Sequence, residues 1–123
     1  MLWWIMAAGA LGTGARYLVG VWVLERFGAG LPYATMAVNL IGCFLLGMVT
    51  HLSAVPVGSP ELRAAVAIGL LGGFTTYSSF NQETLAMLTH GAAGAAALNV
   101  AVTLVGGLVA GWLGLVFARQ LVA

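Results

Sequence analysis

The sequence predicts an all-helical integral membrane protein of four transmembrane helices, with the third broken in mid-membrane. Three observations carry that expectation. Hydrophobic residues make up 62% of the chain and charged residues 6%, with a mean hydropathy of +1.07. A soluble domain carries roughly 25% charged residues, so this chain cannot cover a water-facing surface. A spanning helix takes about 20 residues, so a chain of 123 residues holds four and little else. The third apolar segment contains Gly72-Gly73-Phe74-Thr75-Thr76-Tyr77-Ser78-Ser79-Phe80. Its glycine pair and hydroxyl side chains make poor continuous helix, because glycine loses most freedom on ordering and Ser and Thr offer competing local bonds. Irregular backbone at membrane depth survives only where it is buried in protein or lines a watery cavity. It also frees carbonyls and helix ends to coordinate ions. This stretch reads as an ion or solute site.

The elements follow from the punctuation. Met1-Leu2-Trp3-Trp4-Ile5 lacks the basic start of a cleaved signal peptide and is expected to open the first span. That span is expected over about 2–24, ending in Glu25-Arg26-Phe27-Gly28-Ala29-Gly30-Leu31-Pro32. The second is expected over about 33–52, ending in the turn-rich stretch from Ser53 to Pro60. Ser59-Pro60-Glu61 is a start signal, with proline at the first helical position and an acid in the first turn. The third span is expected over about 61–88, interrupted at the motif and closed by Thr89-His90-Gly91. The fourth is expected over about 92–118. All of residues 1–123 thus form a single four-helix membrane domain, with no loop long enough for a soluble one.

Charge gives almost no instruction about orientation. With four spans, the side holding both termini carries Arg63 and Arg119, the other side carries Arg26, and lysine is absent. The positive-inside rule needs an excess on one side. A margin of one arginine leaves two readings open: uniform insertion, or insertion both ways with pairing of opposite copies as an antiparallel dimer. Small residues four apart (Gly69 with Gly73, Gly107 with Gly111, Ala110 with Gly114) allow close helix approach without identifying the partner.

Few polar residues lie inside the spans. An arginine at a helix centre costs about 2.5–3.5 kcal/mol on insertion scales, so Arg16 must face protein or a polar cavity, or snorkel a long way. It serves as a donor to neighbouring carbonyls, as a concentrator of anions, or both. The Asn39 carboxamide either joins helices or offers N–H groups to a small anion. Asn99 and Thr103 share a face of the fourth helix, as a polar track or with Thr103 bonded back to its own helix. Glu83 is the acid well inside a span, whereas Glu25 and Glu61 sit at ends. Tyr77 and Phe80, three apart, either pack or present positive ring edges to an anion. His51 and His90 are too isolated to suggest a metal site. Cys43, the single cysteine, excludes an intrachain disulfide and is expected to pack in an apolar run. The net charge of +1 gives no reason to expect a nucleic acid partner.

The chain resembles the small bacterial fluoride channels of the Fluc or CrcB family over nearly its whole length. The residues that carry the resemblance are Gly12-Thr13-Gly14-Ala15-Arg16-Tyr17, Thr35-Met36-Ala37-Val38-Asn39-Leu40-Ile41-Gly42-Cys43-Phe44, the string from Gly72 to Phe80 followed by Glu83, and Asn99 with Thr103. The resemblance implies a dual-topology antiparallel homodimer in the bacterial inner membrane, with two pores and passive, selective export of fluoride. It implies that Asn39, Tyr77 and Phe80 line the pores, with Thr103 on the pore track and Ser78 and Ser79 making that helix end polar. Arg16, Glu83 and Asn99 match polar residues near the pore mouths or supporting the pore. Main-chain oxygens of Gly72 and Thr75 from both subunits are implied to hold a structural Na⁺ on the two-fold axis. Tyr77 departs from the family pattern, which usually has phenylalanine there.

The physics agrees with the resemblance. Fluoride is strongly hydrated, so a pore must replace its water by several weak donors and then release it. The rival is a small dual-topology, proton-coupled multidrug exporter, which needs a membrane-embedded acid in the first helix. Here that helix offers Arg16, with Glu25 only at its end. A structural subunit of a larger complex would not need the broken helix. No nucleophile–base pair or metal cluster suggests an enzyme.

Overall fold

The computed structural model describes residues 1–54 and 58–123, and these form helices joined by short turns. Helix α1 is Leu2–Phe27 and α2 is Tyr33–Leu52. Helix α3 covers 60–74, beginning as Pro60–Ala64, widening to a π-helical stretch at Ala65–Leu70 and closing as Leu71–Phe74. Helix α4 is Tyr77–Thr89, and α5 is Ala93–Leu121 with a second π-helical stretch at Val102–Gly106. Among the described residues, α1, α2 and α5 are long and apolar enough to cross a membrane by themselves. The chain is an all-helical membrane protein.

Local chemistry explains most ends. Helix α1 runs three residues beyond the expected Leu24 because Arg26 in its last turn favours the negative end of the helix dipole and lies over the Trp22 ring, 5.4 Å from its centroid. Gly28, at φ 74°, then turns the chain and its N–H closes on Leu24 O. The Ser59 side chain accepts from Leu62 N at 3.2 Å with Pro60 at the first helical position, so α3 starts where its signal lies. Arg63 Nη1 donates to Ser53 O at 2.9 Å, tying the start of α3 to the end of α2. The turn expected around Pro56 lies, with Val55 and Val57, outside the described residues.

Packing is decided by glycine. Helix α1 lies mainly along the second half of α3, and α2 along the second half of α5. A Cβ on Gly12 would overlap Leu70 O, and one on Gly114 would overlap Phe44 O. Backbones approach that closely only where no side chain stands between them. The small-residue pairs thereby acquire partners within the chain: Gly69 and Gly73 press on α1, and Gly107, Gly111 and Gly114 press on α2. On α2 the buried residues Thr35, Val38, Asn39 and Gly42 recur at helical spacing, so one stripe faces the broken segment.

Candidate functional site

The break falls at Thr75 and Thr76, not at the glycines. Gly72 and Gly73 are helical, whereas Thr75 (φ −82°, ψ 157°) and Thr76 (φ −149°, ψ 117°) are extended. Gly73 serves close approach, lying against Gly9 O, whereas Gly72 is exposed. The threonines leave the helix because side chains outbid it for the backbone. Asn39 Oδ1 accepts from Thr76 N at 2.8 Å, and Asn39 Nδ2 donates to Thr76 O at 3.0 Å. In an uninterrupted helix the Thr76 N–H would go to Gly72 O, so that carbonyl loses its helical donor. Thr76 Oγ1 then caps α4, accepting from Ser79 N at 3.3 Å and donating to Ser79 Oγ at 3.1 Å.

Two clefts flank the break, and Thr76 lines both. One, of about 310 Å³, is lined by Thr13, Arg16, Thr35, Thr76 and Ser79 among others. The second, of about 230 Å³, is lined by Asn39, Cys43, Thr75, Thr76, Tyr77, Phe80 and Thr103. In the second cleft the Tyr77 and Phe80 rings lie 5.9 Å apart at 58°, with Tyr77 75% exposed and Phe80 6%. Asn39 spends both sides of its carboxamide on Thr76 and, since the amide carries two N–H groups, keeps one without a partner among the described residues. A third cleft, of about 390 Å³, lies under the loop between α1 and α2 and includes Thr35 and Glu83.

The sequence-predicted residues therefore divide. Asn39, Tyr77, Phe80 and Thr103 share one cleft, Arg16 and Ser79 share another, and Glu83 stands in the third. Ser78 is exposed beside Thr76. Gly72 is exposed and Thr75 half-buried. Asn99 is wholly buried and lines none of these clefts. Thr103 Oγ1 does not bond back to its own helix, unlike Thr50, Ser53, Thr75 and Thr84, which each donate to the carbonyl four residues earlier. It lies in the widened Val102–Gly106 stretch, where the helical register is altered.

Sequence reasoning passed over several partners. Thr35 Oγ1 donates to Glu83 Oε1 at 2.7 Å, leaving Oε2 buried without a protein partner among the described residues. Asn99 Nδ2 donates to Thr84 Oγ1 at 2.9 Å, while Asn99 Oδ1 has no such partner. Asn81 and Gln82 expose carboxamides on α4. In the sequence Thr35 and Thr84 are marked only by helical spacing, Thr35 lying four before Asn39 and Thr84 four after Phe80.

The sequence has close relatives. A protein of Sorangium cellulosum named "Fluoride-specific ion channel FluC" is 50% identical over 98% of this chain and 95% of its own length. Another so named, from Acidobacterium capsulatum, is 46% identical over 98% of this chain and 97% of its own. One from Citrifermentans bemidjiense is 44% identical over 96% of each. The model of the CrcB-like proteins (Camphor Resistance, CrcB) matches residues 3–115, from α1 through the break to the last turns of α5. With the break and the clefts inside a match that covers most of the sequence, the chain belongs to the CrcB-like family.

Proposed function

We propose that this protein is a fluoride-selective channel that lets cytoplasmic fluoride leave the cell passively across the bacterial inner membrane. The observation that carries the reading is the near full-length identity to proteins named as fluoride-specific channels, coinciding with a break that opens on a cleft of weak donors. In this reading the ion passes the free N–H of Asn39, the ring edges of Tyr77 and Phe80 and the unpartnered hydroxyl of Thr103. No full positive charge stands among them, so the ion is held weakly enough to leave. Arg16, half-buried in the neighbouring cleft, draws anions toward the mouth. Ser78 and Ser79 keep the start of α4 polar. Glu83 and Asn99 support the walls.

The working unit in this reading is an antiparallel homodimer of four-span subunits with two pores, α3 and α4 together making the third span. Support comes from what one copy leaves bare: Tyr77, Ser78, Asn81, Gln82 and Gly72 are all exposed on the broken span. Polar groups facing hydrocarbon are costly, and a second copy would cover them. A Na⁺ on the axis fits the residues present, because Gly72 O lacks its helical donor and Gly72 faces outward. The main-chain oxygens of Gly72 and Thr75 would hold it, doubled by the second copy. A cation held there would offset the converging carbonyl dipoles and stiffen the unwound backbone.

The test is reconstitution of the purified protein in liposomes. Fluoride efflux is expected on collapse of an electrical barrier with a potassium ionophore, and chloride efflux is not. Equal release of both anions, or of neither, would end the proposal. A proton-coupled exporter would instead move an organic cation against a pH gradient.

A further inference from the structure

We infer that Asn99, acting through Thr84, is a positioning residue that sets the spacing between Phe80 and Thr103 and so the discrimination between fluoride and larger halides. The inference rests on the proposed path through that cleft.

Helices α4 and α5 form a hairpin closed by the turn at residues 90–92. Stepping one turn away from that connection leads from Thr84 to Phe80 on α4 and from Asn99 to Thr103 on α5. Phe80 and Thr103 line the same cleft. One turn nearer the connection, Asn99 Nδ2 donates to Thr84 Oγ1 at 2.9 Å. Among the described residues it is the one side-chain hydrogen bond that joins α4 to α5. The Thr84 hydroxyl in turn donates to Phe80 O at 2.7 Å, so the bond reaches the backbone that carries the ring. Asn99 is 0% exposed, and such a chain of donors in a medium of low dielectric is mutually strengthened.

The direction of the chain matters. Thr84 has one hydroxyl hydrogen, and because Asn99 supplies an N–H, that hydrogen is left for Phe80 O. Were the Asn99 amide reversed, its oxygen would take the Thr84 hydrogen and the Phe80 carbonyl would lose its side-chain donor. Beyond this joint α5 widens at Val102–Gly106 and Thr103 is left without a protein partner among the described residues. The hairpin is thus bolted just below the cleft and relaxed at it. Path width there follows from where the bolt stands.

The experiment compares Thr84→Val, Asn99→Leu, the double variant and Thr84→Ser in liposomes, reading the ratio of fluoride to chloride efflux with assembly checked by size. Thr84→Val and Asn99→Leu are each expected to lower the ratio by about two- to tenfold, the range one net hydrogen bond spans. The double variant is expected to fall no further than the worse single, and Thr84→Ser to keep the parent's ratio. A parental ratio in an assembled Thr84→Val or Asn99→Leu protein overturns the inference, as do additive single effects. If only Thr84→Ser assembles, the bond is purely structural and the inference also falls. Normal flux in Phe80→Ile and Thr103→Val would instead remove the path itself, a separate failure of the reading beneath.

Discussion

Asn39 holds the break and borders the proposed path at once, and its substitutions must be read with both roles in view. Asn39→Asp places an oxygen where Nδ2 donates to Thr76 O, and leaves a negative charge beside the cleft. Fluoride flux is expected to fall severely, with a loss of about 1–3 kcal/mol in stability from the broken clamp. Efflux and thermal unfolding of the same sample check both. An unchanged melting profile together with normal flux would remove Asn39 from both roles. The aromatic pair divides differently. Phe80→Ile keeps bulk but loses the positive ring edge, so efflux is expected to drop at least tenfold in a properly assembled protein, about 1.4 kcal/mol of barrier. Tyr77→Phe removes a hydroxyl from a ring that is 75% exposed, and is expected to keep or improve transport. Parental efflux in Phe80→Ile would make the rings packing alone.

At the scale of elements, helix ends were legible and the break was only half so. Ser59-Pro60-Glu61 and Gly28 act through neighbours in sequence, so their caps follow from the residues themselves. The break needed Asn39, which lies 37 positions from Thr76. The glycine pair and the hydroxyl side chains mark the interrupted stretch from Gly72 to Phe80, and within it tertiary contact makes Gly73 packing surface and sets the interruption at Thr75 and Thr76. The close contacts make a sharp expectation. Gly114→Ala sets a methyl on Phe44 O and should destabilise by about 1–3 kcal/mol. Gly14→Ala meets nothing within 4 Å and should stay within about 0.5 kcal/mol of the parent. Thermal unfolding in detergent of both variants decides, and equal melting would remove α2–α5 contact as a determinant.

At the scale of the whole molecule, α4 presents Tyr77, Ser78, Asn81 and Gln82 outward. An antiparallel pair of copies would cover that surface, and the balance of Arg26 against Arg63 and Arg119 permits it. In a Cys43→Ser background, single cysteines placed in loops on the two faces are expected to label from both sides of the membrane. Labelling of each from one side alone would exclude dual topology. Replacing Na⁺ by a large organic cation is expected to weaken the dimer, since the oxygens of Gly72 and Thr75 would then converge uncompensated. Dimer stability indifferent to that exchange would discard the ion.

Composition, span length and the strings around Arg16, Asn39 and Phe80 were enough to determine a helical membrane protein, its interrupted third segment and its family. Those properties depend on local periodicity, on the cost of charge in hydrocarbon and on residue strings that survive without a structure. Tertiary structure alone decided that Asn39 clamps Thr76, that Thr35 meets Glu83 and that Asn99 reaches Phe80 through Thr84. It also decided that Arg16 and Asn39 stand in different clefts. Each of these depends on how segments distant in sequence meet. Helical spacing says which residues share a face, while the glycine contacts between backbones set which faces meet and at what register.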